Sequence, residues 1–216
     1  DDLKKKFNYQ SNQKLKNIQA ISKIKFDRII ISPGIDILNC KLSKFLKKNK
    51  SKIYTDLDIF FSFYKNKSIT ITGTNGKSTT AKILHEVLSD QNYDCRLIGN
   101  IGKPALSETK ITKNTIFVIE ASSYQLDYSK LFTSKYSEIL NIRPDHIERH
   151  KSLKNYINAK FKLLNSQSKD SIAFVKKKEP LKTKKLKSKK YNPKIIRVDL
   201  KKTNKIIKLI KNRYFL

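Results

Sequence analysis

The stretch TGTNGKSTT, residues 72–80, has the residue types of a phosphate-binding loop. A polyphosphate is held by backbone N–H groups that point inward, by glycines where a side chain would collide, and by a helix N-terminus. The two glycines would let the backbone approach the phosphates, Lys77 would reach the outer ones, and the hydroxyl of Ser78 or Thr79 would meet Mg²⁺. The predicted phosphate-binding residues are Gly73, Thr74, Asn75, Gly76, Lys77, Ser78, Thr79 and Thr80.

The segments on either side of this loop favour a phosphate site over an ordinary polar turn. Residues 68–72 are predicted to form a strand, and residues 77–91 a helix. One face of that helix is predicted to carry Ala81, Leu84, Val87 and Leu88. The two glycines are closer together than in the common P-loop pattern, so the generic motif is not met, but the order strand, glycine loop, helix is.

Two polar side chains lie where other strands are predicted to end. Glu120 closes one strand, and His146 follows another. Ligands of open parallel sheets gather at the carboxyl ends of the strands, and an acid there can hold Mg²⁺. A surface acid and a structural histidine are the ordinary alternatives, and we give His85 and His150 that structural assignment.

Strands and helices alternate along the chain, which predicts an α/β fold with a parallel sheet. The predicted strands cover residues 26–32, 68–72, 115–120, 137–142, 171–175 and 194–200, with a short one near Ile53. The predicted helices cover residues 12–25, 77–91, 152–167 and 203–213, with another inside residues 39–54 that turns Leu42, Phe45 and Leu46 inward.

Composition restricts the class of protein. The 216 residues carry a formal net charge of +30, but only six of the 48 basic residues are arginine. The lysines are spread along the whole chain without a stripe of arginine and aromatic residues, which argues against nucleic acid as a partner. Cys40 and Cys95 lack metal-finger spacing and are expected to be reduced and buried. Since the apolar runs are shorter than the roughly 20 residues of a bilayer span, we expect a cytoplasmic protein without a membrane partner.

Four further segments accompany the phosphate loop, and together the five segments resemble those of a known family. They are SPGI at 32–35, GNIGKPAL at 99–106, IEASSYQL at 119–126 and LNIRPDHIERH at 140–150. In order and spacing the chain resembles the Mur ligase family of ATP-dependent amide-forming enzymes. The form of the first three segments is similar to the branch that adds D-glutamate to UDP-N-acetylmuramoyl-L-alanine in peptidoglycan precursor synthesis.

This resemblance implies an architecture. Residues 1–66 would be the remnant of a Rossmann-like N-terminal domain that binds UDP, and residues 67–216 an incomplete P-loop central domain with a parallel sheet that binds ATP. The C-terminal domain, which binds D-glutamate in the family, is expected to lie outside this sequence. The chain alone is therefore expected to be inactive as a ligase, and to be a monomer.

The resemblance also implies roles for individual residues. The loop residues already named would bind ATP, and the implied catalytic residues are Lys77, His146 and Lys160. The implied substrate-binding residues are Ser32, Asn100, Ser122 and His146. The implied Mg²⁺ ligands are Ser78, Glu120, His146 and Lys160, the last as a carbamate formed with CO₂.

Lys160 lies in the segment NYINAKFK, residues 155–162, which resembles the family's Y-x-x-AK segment. Carbamylation would turn an ammonium group that repels a metal into a carboxylate that suits Mg²⁺. Two alternative functions stay open: a P-loop NTPase that binds nucleic acid, favoured by the net charge, and a non-catalytic paralogue that retains nucleotide affinity.

Overall fold

Two parallel sheets organise the part of the chain that the computed structural model describes, residues 21, 24–176 and 191–198. The smaller sheet pairs β1 (Ile29–Ile30) with β2 (Ile53–Tyr54). Helix α1 (Ser43–Lys48) and a 3₁₀ turn (Lys50–Lys52) connect these strands. The strand predicted over 26–32 is shorter than expected. β1 has two residues, because β2, the strand that pairs with it, also has only two.

The smaller sheet has its own core, which confirms the inward face predicted for α1. Leu46 is buried, and Leu42 and Phe45 pack against it from partly buried positions. The buried members of this core are Ile31, Ile37, Leu46 and Ile53.

Helix α2 (Asp56–Phe63) follows β2 and was not predicted. Thr55 and Asp58 form a capping box at its start, in which each side chain accepts a hydrogen bond from the other residue's backbone N–H. The second oxygen of the Asp58 carboxylate accepts three backbone N–H groups, from Lys130, Leu131 and Phe132. The helix is thereby tied to the connections of the larger sheet, and Phe60 and Phe61 enter the core there.

The larger sheet has six parallel strands, which confirms the predicted fold class. The strands are β3 (Ser68–Thr72), β4 (Cys95–Gly99), β5 (Ile116–Glu120), β6 (Tyr136–Ile139), β7 (Ile172–Lys176) and β8 (Lys194–Val198), in the order β4-β5-β3-β6-β7-β8. All five neighbouring pairs are parallel. Because β3 lies between β5 and β6, the residues that follow these three strands meet at one edge.

Helix α3 (Lys77–Asp90) follows β3, as predicted. Ala81 is fully buried, and Leu84 and Leu88 pack against the same core. Val87 lies on the predicted face with Leu84 but is 46% exposed. With Ile83 it lines an open apolar groove beside β6 and β7, which α3 leaves uncovered in the described part of the chain.

Three further helices lie between the later strands: α4 (Ser123–Tyr128), α5 (Ile147–His150) and α6 (Leu153–Ser166). The strand predicted over 137–142 ends at Ile139, because the next two residues turn to contact the phosphate loop. Cys40 and Cys95 are free but only half-buried. The helix predicted over 203–213 and nearly all of that over 12–25 fall outside the described residues. Among the described helices, none has the length and apolar character to cross a bilayer.

Candidate active site

The phosphate loop connects β3 to α3 through two glycines with positive φ. Gly73 has φ +154°, and a Cβ there would lie 3.1 Å from the Cβ of Leu140. Gly76 has φ +83° and forms the N-cap of α3, which begins at Lys77. The Lys77 ammonium donates to the Thr74 carbonyl at 2.8 Å. The loop therefore curls around its lysine, with the free N–H groups of the first helical turn at the same end.

Asn141 and Tyr156 hold this loop in place, and sequence reasoning did not single them out. The Asn141 side chain accepts from the Asn75 N–H at 2.9 Å and donates to the Asn75 carbonyl at 2.8 Å. The Thr74 N–H donates to the Asn141 carbonyl at 2.9 Å, and the Thr74 hydroxyl lies 2.8 Å from the Tyr156 hydroxyl. Asn141 lies in the segment LNIRPDHIERH, and Tyr156 is the tyrosine of the Y-x-x-AK segment, so both stand in segments that the sequence analysis singled out. These bonds fix the backbone of the loop, and a backbone fixed in advance lowers the entropy cost of binding a ligand.

Glu120 ends β5 beside β3, and only 1% of it is exposed. Its Oε1 accepts from the Asn100 side-chain amide at 2.8 Å. Its Oε2 is buried and has no hydrogen-bond partner. A buried carboxylate oxygen without a donor is costly, and a hard cation is the partner that such an oxygen prefers. Glu120 therefore fits an Mg²⁺ ligand, although no group of three His, Cys, Asp or Glu side chains converges among the described residues.

The GNIG turn positions Asn100 through two glycines. The Asn100 N–H donates to the Glu120 carbonyl at 2.8 Å. A Cβ on Gly99 would lie 2.4 Å from that same carbonyl oxygen, and one on Gly102 would lie 2.2 Å from the Leu97 carbonyl oxygen. Both glycines also have positive φ. The turn can approach β4 and β5 this closely only with glycine at both positions.

We expect Gly102→Ala to destabilise the protein by roughly 2–4 kcal/mol, because the new methyl group meets backbone atoms and the residue keeps an unfavourable φ. Urea unfolding monitored by circular dichroism measures the change. Gly34→Ala is the matched control, since a Cβ there has Ser32 Oγ as its nearest atom at 3.8 Å and no strained φ. Equal stability of the two variants would contradict the close approach of Gly102 to the Leu97 carbonyl.

His146 lies on the same edge in a cluster of rings. It has φ +53°, its Nε2 lies 3.3 Å from Asp145 Oδ2, and its ring centroid is 5.1 Å from that of Tyr124. His150 is buried, shares a 3.0 Å hydrogen bond with the Ser123 hydroxyl, and has a pKa lowered by burial. The geometry of His150 thus agrees with its assignment as a structural residue. His146, by contrast, is exposed, and its ring lies next to that of Tyr156, which supports the phosphate loop.

Lys160 projects from α6 to the phosphate loop. Its ammonium donates to the Gly73 carbonyl at 2.7 Å and lies 4.7 Å from the centre of the Tyr156 ring. Only 2% of the residue is exposed. Burial, and secondarily the charge of Lys77, lower its pKa to about 7. A substantial fraction of Lys160 is therefore a neutral amine at neutral pH.

Two of the residues implied to bind substrate have other local roles. Ser122 is the N-cap of α4, where its hydroxyl accepts from the Gln125 N–H. Ser32 is exposed in the turn after β1, and its carbonyl accepts from the Ile35 N–H. The structure thus gathers Lys77, Glu120 and Lys160 around the end of β3, with His146 beside them, and leaves Ser32 on the smaller sheet.

Residues 71–214 match the family description "Mur ligase middle domain". The chain belongs to the Mur ligase family. It is 41% identical over 162 residues to the UDP-N-acetylmuramoylalanine–D-glutamate ligase of Rickettsia bellii, covering 73% of this chain and 35% of that protein. It is 32% identical over 178 residues to the enzyme of the same name from Lachnoclostridium phytofermentans, covering 81% of this chain and 39% of that one. The chain thus spans about a third of the length of these curated relatives.

Solved Mur ligase structures have the same fold. MurF of Thermotoga maritima in complex with ADP superposes with a TM-score of 0.53 at 17% identity, over 80% of this chain and 41% of that one. The UDP-N-acetylmuramate:L-alanyl-γ-D-glutamyl-meso-diaminopimelate ligase of Neisseria meningitides gives a TM-score of 0.56 at 15% identity, over 84% and 61%.

Proposed function

We propose that this chain is the ATP- and metal-binding part of a ligase that joins D-glutamate to UDP-N-acetylmuramoyl-L-alanine through an acyl phosphate. The observation that carries the proposal is the buried Glu120 oxygen without a partner, one strand away from a glycine loop that ends in Lys77. The choice of amino acid and nucleotide-sugar rests on the names of the relatives that are 41% identical. A cytoplasmic location and a monomeric state stay predictions.

We assign the two sheets to two domains, residues 1–66 on the UDP side and residues 67–216 on the ATP side. The smaller sheet has its own hydrophobic core, and the first strand of the larger sheet starts at Ser68. The match to the family's middle domain also starts just after this boundary, at residue 71.

The reaction has to bring two anions together, the alanine carboxylate and the γ-phosphate of ATP. In our proposal the carboxylate attacks the γ-phosphate and ADP leaves; the amine of D-glutamate then displaces phosphate from the acyl phosphate. Lys77 and the N-terminus of α3 offset the repulsion between the anions and stabilise charge on the transferred group. Mg²⁺, when bound, would supply further positive charge at the phosphates.

We assign the other predicted site residues roles in the same reaction. Thr74 and Asn75 present the fixed loop backbone to the phosphates, and Ser78 offers a hydroxyl for the metal beside Glu120. Thr79, which is exposed, and Thr80, which is half-buried, extend this rim along the first turn of α3. Asn100, Ser122 and His146 line the side from which the substrate carboxylate approaches, and Ser32 lies on the nucleotide-sugar side.

Lys160 is proposed to be carbamylated. The neutral amine attacks CO₂, an N–C bond forms, and one proton leaves to solvent, so the product is a carbamate anion. Because only the neutral amine reacts and its pKa is about 7, occupancy should rise between pH 6 and pH 8 at a fixed CO₂ concentration. We expect ¹³C-bicarbonate to give a protein carbamate signal in ¹³C NMR that follows this profile.

Lys160→Arg should remove the carbamate signal, because a guanidinium stays protonated and does not react. Lys154→Arg, at an exposed position of the same helix, is the control and should keep it. A signal that survives Lys160→Arg would contradict the assignment of the modified lysine.

The function itself is tested by placing this sequence in a complete ligase. The segment of the Rickettsia bellii enzyme that aligns with this chain is replaced by the present residues, and phosphate release is measured. We expect release only when ATP, UDP-N-acetylmuramoyl-L-alanine and D-glutamate are all present. A folded chimera that releases phosphate equally with or without D-glutamate would rule out the proposed reaction.

A further inference from the structure

Arg149, in α5, binds a loop that lies 114 to 116 positions earlier in the chain. Its guanidinium donates to the carbonyl oxygens of Pro33 at 2.6 Å, Gly34 at 3.1 Å and Ile35 at 2.7 Å. These residues belong to the SPGI loop, residues 32–35. A planar guanidinium with five donors can serve several carbonyls at once, whereas the ammonium group of lysine is a point charge. Arg149 therefore holds the backbone of the loop.

The same guanidinium also lies over the face of Tyr124, 3.9 Å from the ring centroid. A cation over a tyrosine ring is attracted by the negative face of the ring. The Tyr124 ring in turn contacts His146 at 5.1 Å and stacks on His150 at 5.4 Å between centroids. One side chain thus contacts the SPGI loop and also the ring that supports His146.

Other contacts join the two sheets without Arg149. The Lys130 ammonium donates to the carbonyls of Lys50 and Ser51, and the Thr55 hydroxyl lies 3.0 Å from that of Ser129. The three backbone N–H groups that donate to the Asp58 carboxylate are a further contact of this kind. Loss of Arg149 should therefore leave the sheets joined and release the SPGI loop locally.

We propose that Arg149 is a positioning residue that fixes the SPGI loop and Tyr124 relative to His146. A substrate held at the SPGI loop then presents its carboxylate to the phosphate loop at a set distance. The catalytic consequence rests on the proposed function, whereas the fixing of the loop does not. Such positioning matters because a displacement of about 1 Å can cost on the order of 100-fold in rate.

Hydrogen exchange of the 216-residue chain tests the fixing of the loop. The Ile35 N–H donates to the Ser32 carbonyl and reports on the loop. We expect this amide to exchange about tenfold faster in Arg149→Ala and Arg149→Lys, since a charge-assisted contact is lost, while the amides of β3 keep their protection. Arg96→Lys is the control, because Arg96 lies in the outer strand β4 and pairs with Asp94. Unchanged exchange at Ile35 in Arg149→Ala, or full protection in Arg149→Lys, overturns the proposal.

A spectroscopic readout separates positioning from a purely structural role. The chain has three histidines, so the imidazole NMR signals can be assigned individually. In Arg149→Ala the His146 ring signals should shift at fixed pH, while those of His85 on α3 stay in place. Faster exchange at Ile35 with unmoved His146 signals would overturn the positioning role.

Titration with Mg·ADP distinguishes this inference from the proposed function. Arg149→Ala should bind Mg·ADP within twofold of the native chain, because Arg149 does not contact the phosphate loop. If neither protein binds Mg·ADP but the Ile35 and His146 effects appear, the proposed function fails and the role of Arg149 stands.

Discussion

Lys77→Ala is expected to weaken binding of ATP and ADP to this chain by about 30- to 100-fold, as expected for the loss of charge-assisted bonds to phosphate. The Lys77 ammonium contacts the Thr74 carbonyl inside the loop, so its removal leaves the core unchanged. Turnover in the chimeric ligase should be lost. Isothermal titration with Mg·ADP measures the affinity, and circular dichroism confirms that the variant is folded.

The matched control is Lys82→Ala, which removes an exposed lysine from the same helix. It changes the net charge by the same amount, so a general electrostatic effect of this strongly basic chain would weaken both variants equally. A Lys77→Ala protein that binds Mg·ADP as tightly as Lys82→Ala would refute the assignment of the phosphate loop. Since the charge of Lys77 also lowers the pKa of Lys160, its removal should raise that pKa and reduce carbamate formation at pH 7.

Glu120→Gln is expected to abolish the contribution of Mg²⁺ to nucleotide affinity. Glutamine keeps the shape and can keep the bond from Asn100, but it replaces the charged oxygen that has no partner. In the native chain ADP should bind at least tenfold more tightly with Mg²⁺ than with EDTA, and in the variant this ratio should approach one. Titrations in both conditions give the ratio directly.

Two further observations check this prediction. Glu86→Gln, at an exposed position on α3, should retain the native ratio. Without metal, Glu120→Gln should be at least as stable as the native protein, because a buried charge is removed. An unchanged Mg²⁺ ratio in Glu120→Gln would show that this carboxylate does not hold the metal.

The strand and helix around the phosphate loop were predictable because their patterns are local. β3 has its predicted bounds, and α3 starts at its predicted residue. Helix α2 was missed because its apolar run IFFSFY has no helical period, although the capping pair Thr55 and Asp58 was visible in the sequence. The exposure of Val87 was not predictable, because periodicity alone does not tell how far a sheet extends under a helix.

The site was predictable as a set of residues but not as a set of bonds. Sequence order places Glu120 at a strand end, yet only the fold shows which of its oxygens has a partner. Asn141 and Arg149 lay inside a segment that had drawn attention for His146. Their partners, Asn75 and the SPGI loop, are 66 and 114 to 116 positions away, and no local pattern encodes such contacts.

The central claim is that one edge of the six-stranded sheet holds a metal–nucleotide complex. Paramagnetic broadening by Mn²⁺·ADP in the ¹⁵N spectrum of the 216-residue chain tests it most directly, with Mn²⁺ alone as the reference. We predict that amide signals of residues 73–80, Asn100 and residues 120–122 broaden selectively at substoichiometric Mn²⁺·ADP. A well-folded spectrum in which these amides keep their intensity would contradict the account.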